Sequence, residues 1–163
     1  MEMYDYQLPD AGHTAWVLVS QARAAMHRLA EGRLAKMGLT PERFQVLSLC
    51  SNRTLIPAEI SRSMLRASQS VAGLLNRMER DGLVARVPKR PGHPFTEVQI
   101  TPQGEGLLRL GTEVVVPLID KVMSSLSAEQ LEELQKLLRA IRQDAIEELR
   151  MEIRPAPSSA LLV

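Results

Sequence analysis

A mainly α-helical chain with one small β-hairpin is the fold class that the sequence predicts, and three observations carry the prediction. Between proline and glycine breakers, apolar residues recur every three or four positions, the helical period. Only over Leu83–Val87 and Phe95–Ile100 does the period shorten to two, and the turn-rich Pro88-Lys89-Arg90-Pro91-Gly92-His93-Pro94 separates those runs. Helix starts are chemically marked. Thr40-Pro41-Glu42 and Thr101-Pro102 join a capping hydroxyl to a first-turn proline, and Ser127-Ala128-Glu129-Gln130 fits a capping box.

In chain order, residues 1–12 read as a polar N-terminal arm broken by Pro9 and Gly12. His13 to Lys36 lack proline and repeat Trp16, Val19, Met26, Leu29 and Ala30 at helical spacing, and Gly38 closes this first helix. Thr40-Pro41 opens a second helix that runs to about Ser51. Pro57 opens a short third, with Ile60, Met64 and Leu65 on one face. The fourth begins near Ser68, and its Val71, Leu74, Leu75 and Met78 fall at i, i+3, i+4 and i+7 before Gly82. After the hairpin, a fifth helix is expected from Pro102 to Met123, kinked at Pro117, where a backbone donor is missing. The sixth carries Leu131, Leu134, Leu138, Ile141, Ala145 and Leu149 as a stripe, and residues 154–163 read as a flexible tail.

The 163 residues carry 20 Lys+Arg against 19 Asp+Glu, 45% hydrophobic residues and one cysteine. A chain of this length buries roughly 70% of its unfolded surface, so disorder is excluded as the main state. Cys50 alone cannot form an internal disulfide, and a cytoplasmic chain is expected. No apolar run approaches the roughly 20 residues that cross a bilayer, so no membrane partner is expected. His13, His27 and His93 are widely spaced, and no His/Cys/Asp cluster has metal-ligand spacing. Phosphate-loop, Ser-His-Asp and His-Glu metal motifs are absent, so neither an enzyme nor a cofactor is expected.

Two short helices in tandem, followed at once by a basic hairpin, are the order of a winged helix-turn-helix, whose second helix enters the DNA major groove. With Val71, Leu74, Leu75 and Met78 facing the core, steps of 100° put Gln69, Gly73, Asn76 and Arg80 opposite, flanked by Ser70 and Arg77. Gln and Asn can grip adenine and Arg guanine, each good pair giving about 1–3 kcal/mol of discrimination. Ser68 and Ser70 at the helix start suit phosphate, as do Arg62 and Arg86, while Lys89, Arg90 and His93 fall in the wing. A mid-helix glycine costs about 1 kcal/mol relative to alanine, so Gly73 points to close approach by a neighbouring surface. Any amphipathic helix would expose such residues to water. The charge distribution favours double-stranded DNA: Ser61 to Phe95 holds seven Lys/Arg and two acids, +5, and the remainder is −4. Phosphate contact requires that segregation, which the overall charge of +1 conceals.

Leu39-Thr40-Pro41-Glu42-Arg43-Phe44-Gln45-Val46-Leu47, then Gly82-Leu83-Val84-Ala85-Arg86, then Val98-Gln99-Ile100-Thr101-Pro102-Gln103-Gly104, in this order and spacing, resemble the multiple-antibiotic-resistance regulator (MarR) family of bacterial transcription factors. The resemblance spans roughly Ala15 to Leu149. It implies a homodimer, with residues 13–38 and 102–153 as a helical dimerisation region and 39–101 as a winged helix-turn-helix DNA-binding region. It also implies repression, relieved by a small apolar or anionic aromatic effector or an oxidant near the junction of these regions. Family members usually carry an Asp-Xaa-Arg-Arg-like wing element with a minor-groove arginine. Here Gly92, His93 and Pro94 occupy those positions, so that arginine is missing.

Trp16, Met26, His27, Met37 and Phe44 lie on or beside segments that border the ligand pocket in that family. Methionine and aromatic groups suit an apolar ligand, and Arg23 with His27, at i and i+4, could hold its carboxylate. Taken singly, each fits a dimer core or a plain surface better. Cys50, at the end of the second helix beside Leu47 and Leu49, fits burial better than a reactive thiolate. Two alternatives stay open: a thiol redox switch through Cys50, and a protein-binding adaptor that has lost DNA contact.

Overall fold

The computed structural model describes residues 10–88 and 96–153; the expected arm up to residue 9, the wing tip with Lys89, Arg90 and His93, and the tail lie outside these. Among the described residues, six helices and one antiparallel hairpin follow in chain order: α1 (Ala11–Leu34), α2 (Pro41–Cys50), α3 (Pro57–Met64), α4 (Ser68–Arg80), β1 (Val84–Pro88), β2 (Thr96–Ile100), α5 (Pro102–Met123) and α6 (Ala128–Ile153). The mainly α fold with a β-hairpin wing is therefore as expected.

Local chemistry sets the boundaries. α1 starts two residues before the expected His13 because Asp10 caps it, its carboxylate accepting the His13 N–H at 2.8 Å. A 3-10 turn (Ala35–Met37) tightens its end, and Gly38, at φ +70°, takes the left-handed conformation that reverses the chain. Thr40 Oγ1 accepts the Arg43 N–H at 3.2 Å, with Pro41 at the first helical position. Ile56 cannot cap α3 with its own side chain, and the Glu59 carboxylate instead accepts the Ile56 N–H at 2.9 Å. Ser127 and Gln130 form the reciprocal box at α6: Ser127 N–H donates to Gln130 Oε1 at 2.8 Å, and Gln130 N–H to Ser127 Oγ at 3.3 Å.

The turn between α3 and α4 is made by Leu65, a left-handed residue at φ +50° without being glycine. Its N–H donates to Arg62 O at 3.2 Å, the next N–H (Arg66) donates to Ser61 O at 3.1 Å, and the buried Ser61 hydroxyl donates to Arg66 O at 2.6 Å. These bonds hold the two helices of the tandem in one arrangement.

The hairpin pairs Val84 with Ile100 through to Pro88 with Thr96. A residue from the α2–α3 connection joins it. Leu55 forms a bridge with Val98, donating to Val98 O at 3.2 Å and accepting the Val98 N–H at 2.7 Å. Nothing in the local sequence period announces this one-residue addition.

The core lies beneath the tandem helices and the hairpin. Val46 and Leu47 of α2, Ile60 of α3, Val71, Leu75 and Met78 of α4, and Val98 of β2 are at most 1% exposed. Each large side chain so buried contributes about 1.5–3 kcal/mol. Thr101-Pro102-Gln103-Gly104 docks α5 on this core. Thr101 Oγ1 accepts the Gly104 N–H at 3.1 Å and donates to Gly82 O at 2.6 Å. A Cβ on Gly104 would lie 2.2 Å from the carbonyl oxygen of Leu83, so only glycine fits.

The chain divides into two compact units, up to Leu118 and from Ile119. The division falls inside α5 just after Pro117, and the helix itself runs to Met123. In the second unit, Leu131 and Leu134 of the α6 stripe are half-buried, while Leu138, Ile141 and Leu149 are exposed.

Candidate nucleic-acid interface

α4 separates its residues by face as the 100° projection requires. Val71, Leu74, Leu75 and Met78 are buried, while Ser68, Gln69, Ser70, Asn76, Arg77 and Arg80 are exposed and Gly73 is half-exposed between them. Arg80 is 75% exposed along its side chain, and Arg62 of α3 is exposed as well. Gly73 has no packing reason inside the chain. The nearest heavy atom to a Cβ built there is Arg77 Nη1 at 3.5 Å, an ordinary contact. Ser68 Oγ lies 3.4 Å from Ser61 Oγ, so the start of α4 is tied to α3.

Arg86 of β1 is held differently from its neighbours. Its Nη2 donates to Asn76 Oδ1 at 2.6 Å, and its Nη1 lies 3.3 Å from Glu79 Oε2. A guanidinium expected on phosphate thus lies across α4, with its charge balanced by Glu79.

Between the start of α2 and the first half of α4 runs a cleft of about 710 Å³, bordered by Glu42, Arg43, Arg66, Gln69, Ser70, Gly73 and Arg77. Two of its arginines are ion-paired: Arg66 donates to Glu42 Oε1 at 2.8 Å, and Arg43 to Asp81 Oδ2 at 2.6 Å. Partial burial opposes ionisation of Glu42. Its position at the start of α2, Arg66, the Thr40 hydroxyl and His27 outweigh that, and the carboxyl titrates below its ordinary value. Arg43 and Arg66 were not singled out by sequence reasoning; the basic window contained Arg66, but no local spacing pairs it with Glu42.

Residues 37–93 match a family model described as MarR family. Over these residues the chain is similar to the MarR family. The curated relative MhqR of Bacillus subtilis (strain 168), an HTH-type transcriptional regulator, is 28% identical over 127 residues, covering 77% of this chain and 88% of MhqR. Two solved MarR structures share the fold. AbsC from Streptomyces coelicolor superposes with a TM-score of 0.78 at 20% identity, covering 86% of this chain and 97% of AbsC. A cysteine-to-serine mutant of MarR from E. coli complexed with operator DNA gives 0.71 at 20% identity, covering 86% and 99%.

The residues expected to line an effector pocket lie apart from the α2–α4 cleft. Trp16 is 73% exposed and borders a shallow hollow with Asp10, Gly12 and His13. Arg23 and Met26 are exposed on α1. His27 Nε2 faces a carboxylate of the chain itself, 3.9 Å from Glu42 Oε1, which opposes the expectation that it binds a ligand's carboxylate. Phe44 packs its ring where a Cβ on Gly111 would lie 2.8 Å away, and Met37 packs against the core. None of the five residues Trp16, Arg23, Met26, His27 and Phe44 borders the α2–α4 cleft.

Cys50 is buried, and loss of hydration pushes its thiol up to about 11 despite the opposing charge of Arg53. At neutral pH about one thiol in 10⁴ is then ionised, the reverse of what a redox sensor needs. Among the described residues, no group of three or more His, Cys, Asp or Glu is arranged to hold a metal ion, and no helix is long and apolar enough to cross a membrane.

Proposed function

We propose that this protein is a transcriptional regulator of the MarR family and acts in the cytoplasm as a homodimeric repressor. Each protomer lays α4 in the major groove of a pseudo-palindromic operator. The observation that carries the reading is the division of α4 into an apolar face that closes the core and an exposed face of Gln69, Gly73, Asn76, Arg77 and Arg80. Arg62, Ser68 and Ser70 meet phosphates beside it, and Lys89, Arg90 and His93 extend the contact from the wing. Residues 39–101 form the DNA-binding region, and 13–38 with 102–153 form the dimerisation region.

A second copy of the chain is the proposed cover for large apolar groups that a single chain leaves in water. These are Trp16, Leu18 and Leu29 on α1, and Leu138, Ile141 and Leu149 on α6. Half-sites then lie about 10 base pairs apart, the spacing at which two recognition helices meet one face of the duplex.

The α2–α4 cleft is the proposed seat of a small anionic aromatic effector. An anion there would meet Arg77 and exchange with Glu42 on Arg66, and an occupant would stand on Gln69, Ser70, Gly73 and Arg77, groups that the operator also needs. Effector and DNA then compete. Selecting bound duplexes from a random pool tests the reading: a two-fold symmetric site is expected, and a selected site without symmetry, or none, overturns it.

A further inference from the structure

The contact between Arg86 and Asn76 joins residues ten apart in sequence on two different elements, and its chemistry leaves one orientation for the amide. A guanidinium has donors and no acceptor. The 2.6 Å contact from Arg86 Nη2 therefore requires the oxygen of Asn76 to face β1, and the NH₂ group occupies the other end of the planar amide. Glu79, one turn along α4 from Asn76, holds the second arm of the same guanidinium at 3.3 Å. The fork is thus fixed at two points, and its positive charge is balanced.

An asparagine on a recognition helix ordinarily grips adenine with both ends, accepting from N6–H and donating to N7. With the Asn76 oxygen held toward β1 by Arg86, the end of the amide turned away from β1 is the NH₂ donor. Guanine, with O6 and N7, and thymine, with O4, offer acceptors to such a donor, whereas adenine offers N7 beside an N6–H₂ donor that would be left facing another donor. We propose that Arg86 is a positioning residue. It is not a phosphate ligand: it turns Asn76 into a hydrogen-bond donor and so sets a guanine or thymine preference at the base pair that Asn76 meets. This inference rests on the DNA-binding reading above.

The test is duplex selection with the full-length chain and three variants, with thermal melting as a control for folding. In the wild type, one position per half-site shows guanine or thymine with a preference of about fivefold or more, the lower end of what one good contact gives. Asn76→Ala loses the preference at that position alone, which identifies it. Arg86→Met frees the amide, and the preference there relaxes or moves to adenine while the other positions hold. Arg86→Lys keeps a donor and keeps the guanine or thymine, so a readout survives even if Arg86→Met does not fold. An adenine preference in the wild type overturns the inference. So does an unchanged profile in Arg86→Met with a uniform loss of affinity, which would make Arg86 a phosphate or structural group and leave the DNA reading intact. Failure of the wild type to select any duplex overturns the DNA reading itself.

Discussion

The guanidinium of Arg43 and the carboxylate of Asp81 meet at 2.6 Å, tying the start of α2 to the residue that ends α4. Arg43 is largely screened from water and Asp81 about a third exposed, so the pair is weaker than its length suggests. A double-mutant cycle with Arg43→Ala and Asp81→Ala is expected to give a coupling of about 1 kcal/mol in urea unfolding, reduced in 1 M salt. A coupling indistinguishable from zero at low salt would show that the pair does not brace α4.

Two glycines are expected to respond in opposite directions. Alanine at Gly104 sets a Cβ against the backbone oxygen of Leu83, which cannot rotate away, and the loss should be about 2–3 kcal/mol. Alanine at Gly73 meets only ordinary contact and adds helix propensity, so Gly73→Ala should stabilise the fold by up to about 1 kcal/mol. The same variant should weaken operator binding, because the methyl group stands on the exposed face of α4. Thermal melts alongside binding curves separate the effects; stabilisation with unchanged affinity would show that DNA does not approach Gly73.

Cys50 gives a pH dependence of definite sign. Its thiol titrates near 9.0 when unfolded and near 11 when folded, so the unfolded chain releases its proton first as pH rises. The contribution is fully present below pH 9 and is lost between about pH 9 and 11, on the order of 3 kcal/mol in all. Cys50→Ala should remove that alkaline decline. A thiol reagent should modify the native protein negligibly at pH 7 and the denatured protein fully. Fast native modification would revive the redox switch.

On α6, Ile141 is 48% exposed and Leu138 40% exposed, and the proposed partner is a second copy. Ile141→Glu, alone or with Leu138→Glu, is expected to shift sedimentation from dimer to monomer at micromolar concentration while leaving helix content unchanged. A wild-type monomer, or a dimer indifferent to both changes, contradicts the seam.

Local chemistry made most of the fold legible. Thr40-Pro41, Thr101-Pro102 and the box of Ser127 with Gln130 mark their helices because a cap is satisfied within three residues of itself. The buried set of α4 was readable for the same reason, since periodicity is local. What escaped needs the fold to bring distant residues together: the Leu55–Val98 bridge, the paired arginines of the cleft, and Arg86 lying on Asn76. The effector expectations were carried over by segment, and none of those residues borders the α2–α4 cleft. Here His27 has its own carboxylate and Phe44 its own glycine to pack on.

The central claim is that the exposed face of α4 binds DNA through charge and base contact together. Fluorescence anisotropy on the selected duplex, from 50 to 300 mM salt, measures it most directly. The account predicts a steep linear fall of log affinity with log salt, about 0.9 per phosphate neutralised, and roughly tenfold weaker binding for Arg77→Ala and for Arg80→Ala at unchanged melting temperature. Affinity that ignores salt, or that is the same in both variants as in the wild type, would contradict it and favour a protein partner for this face.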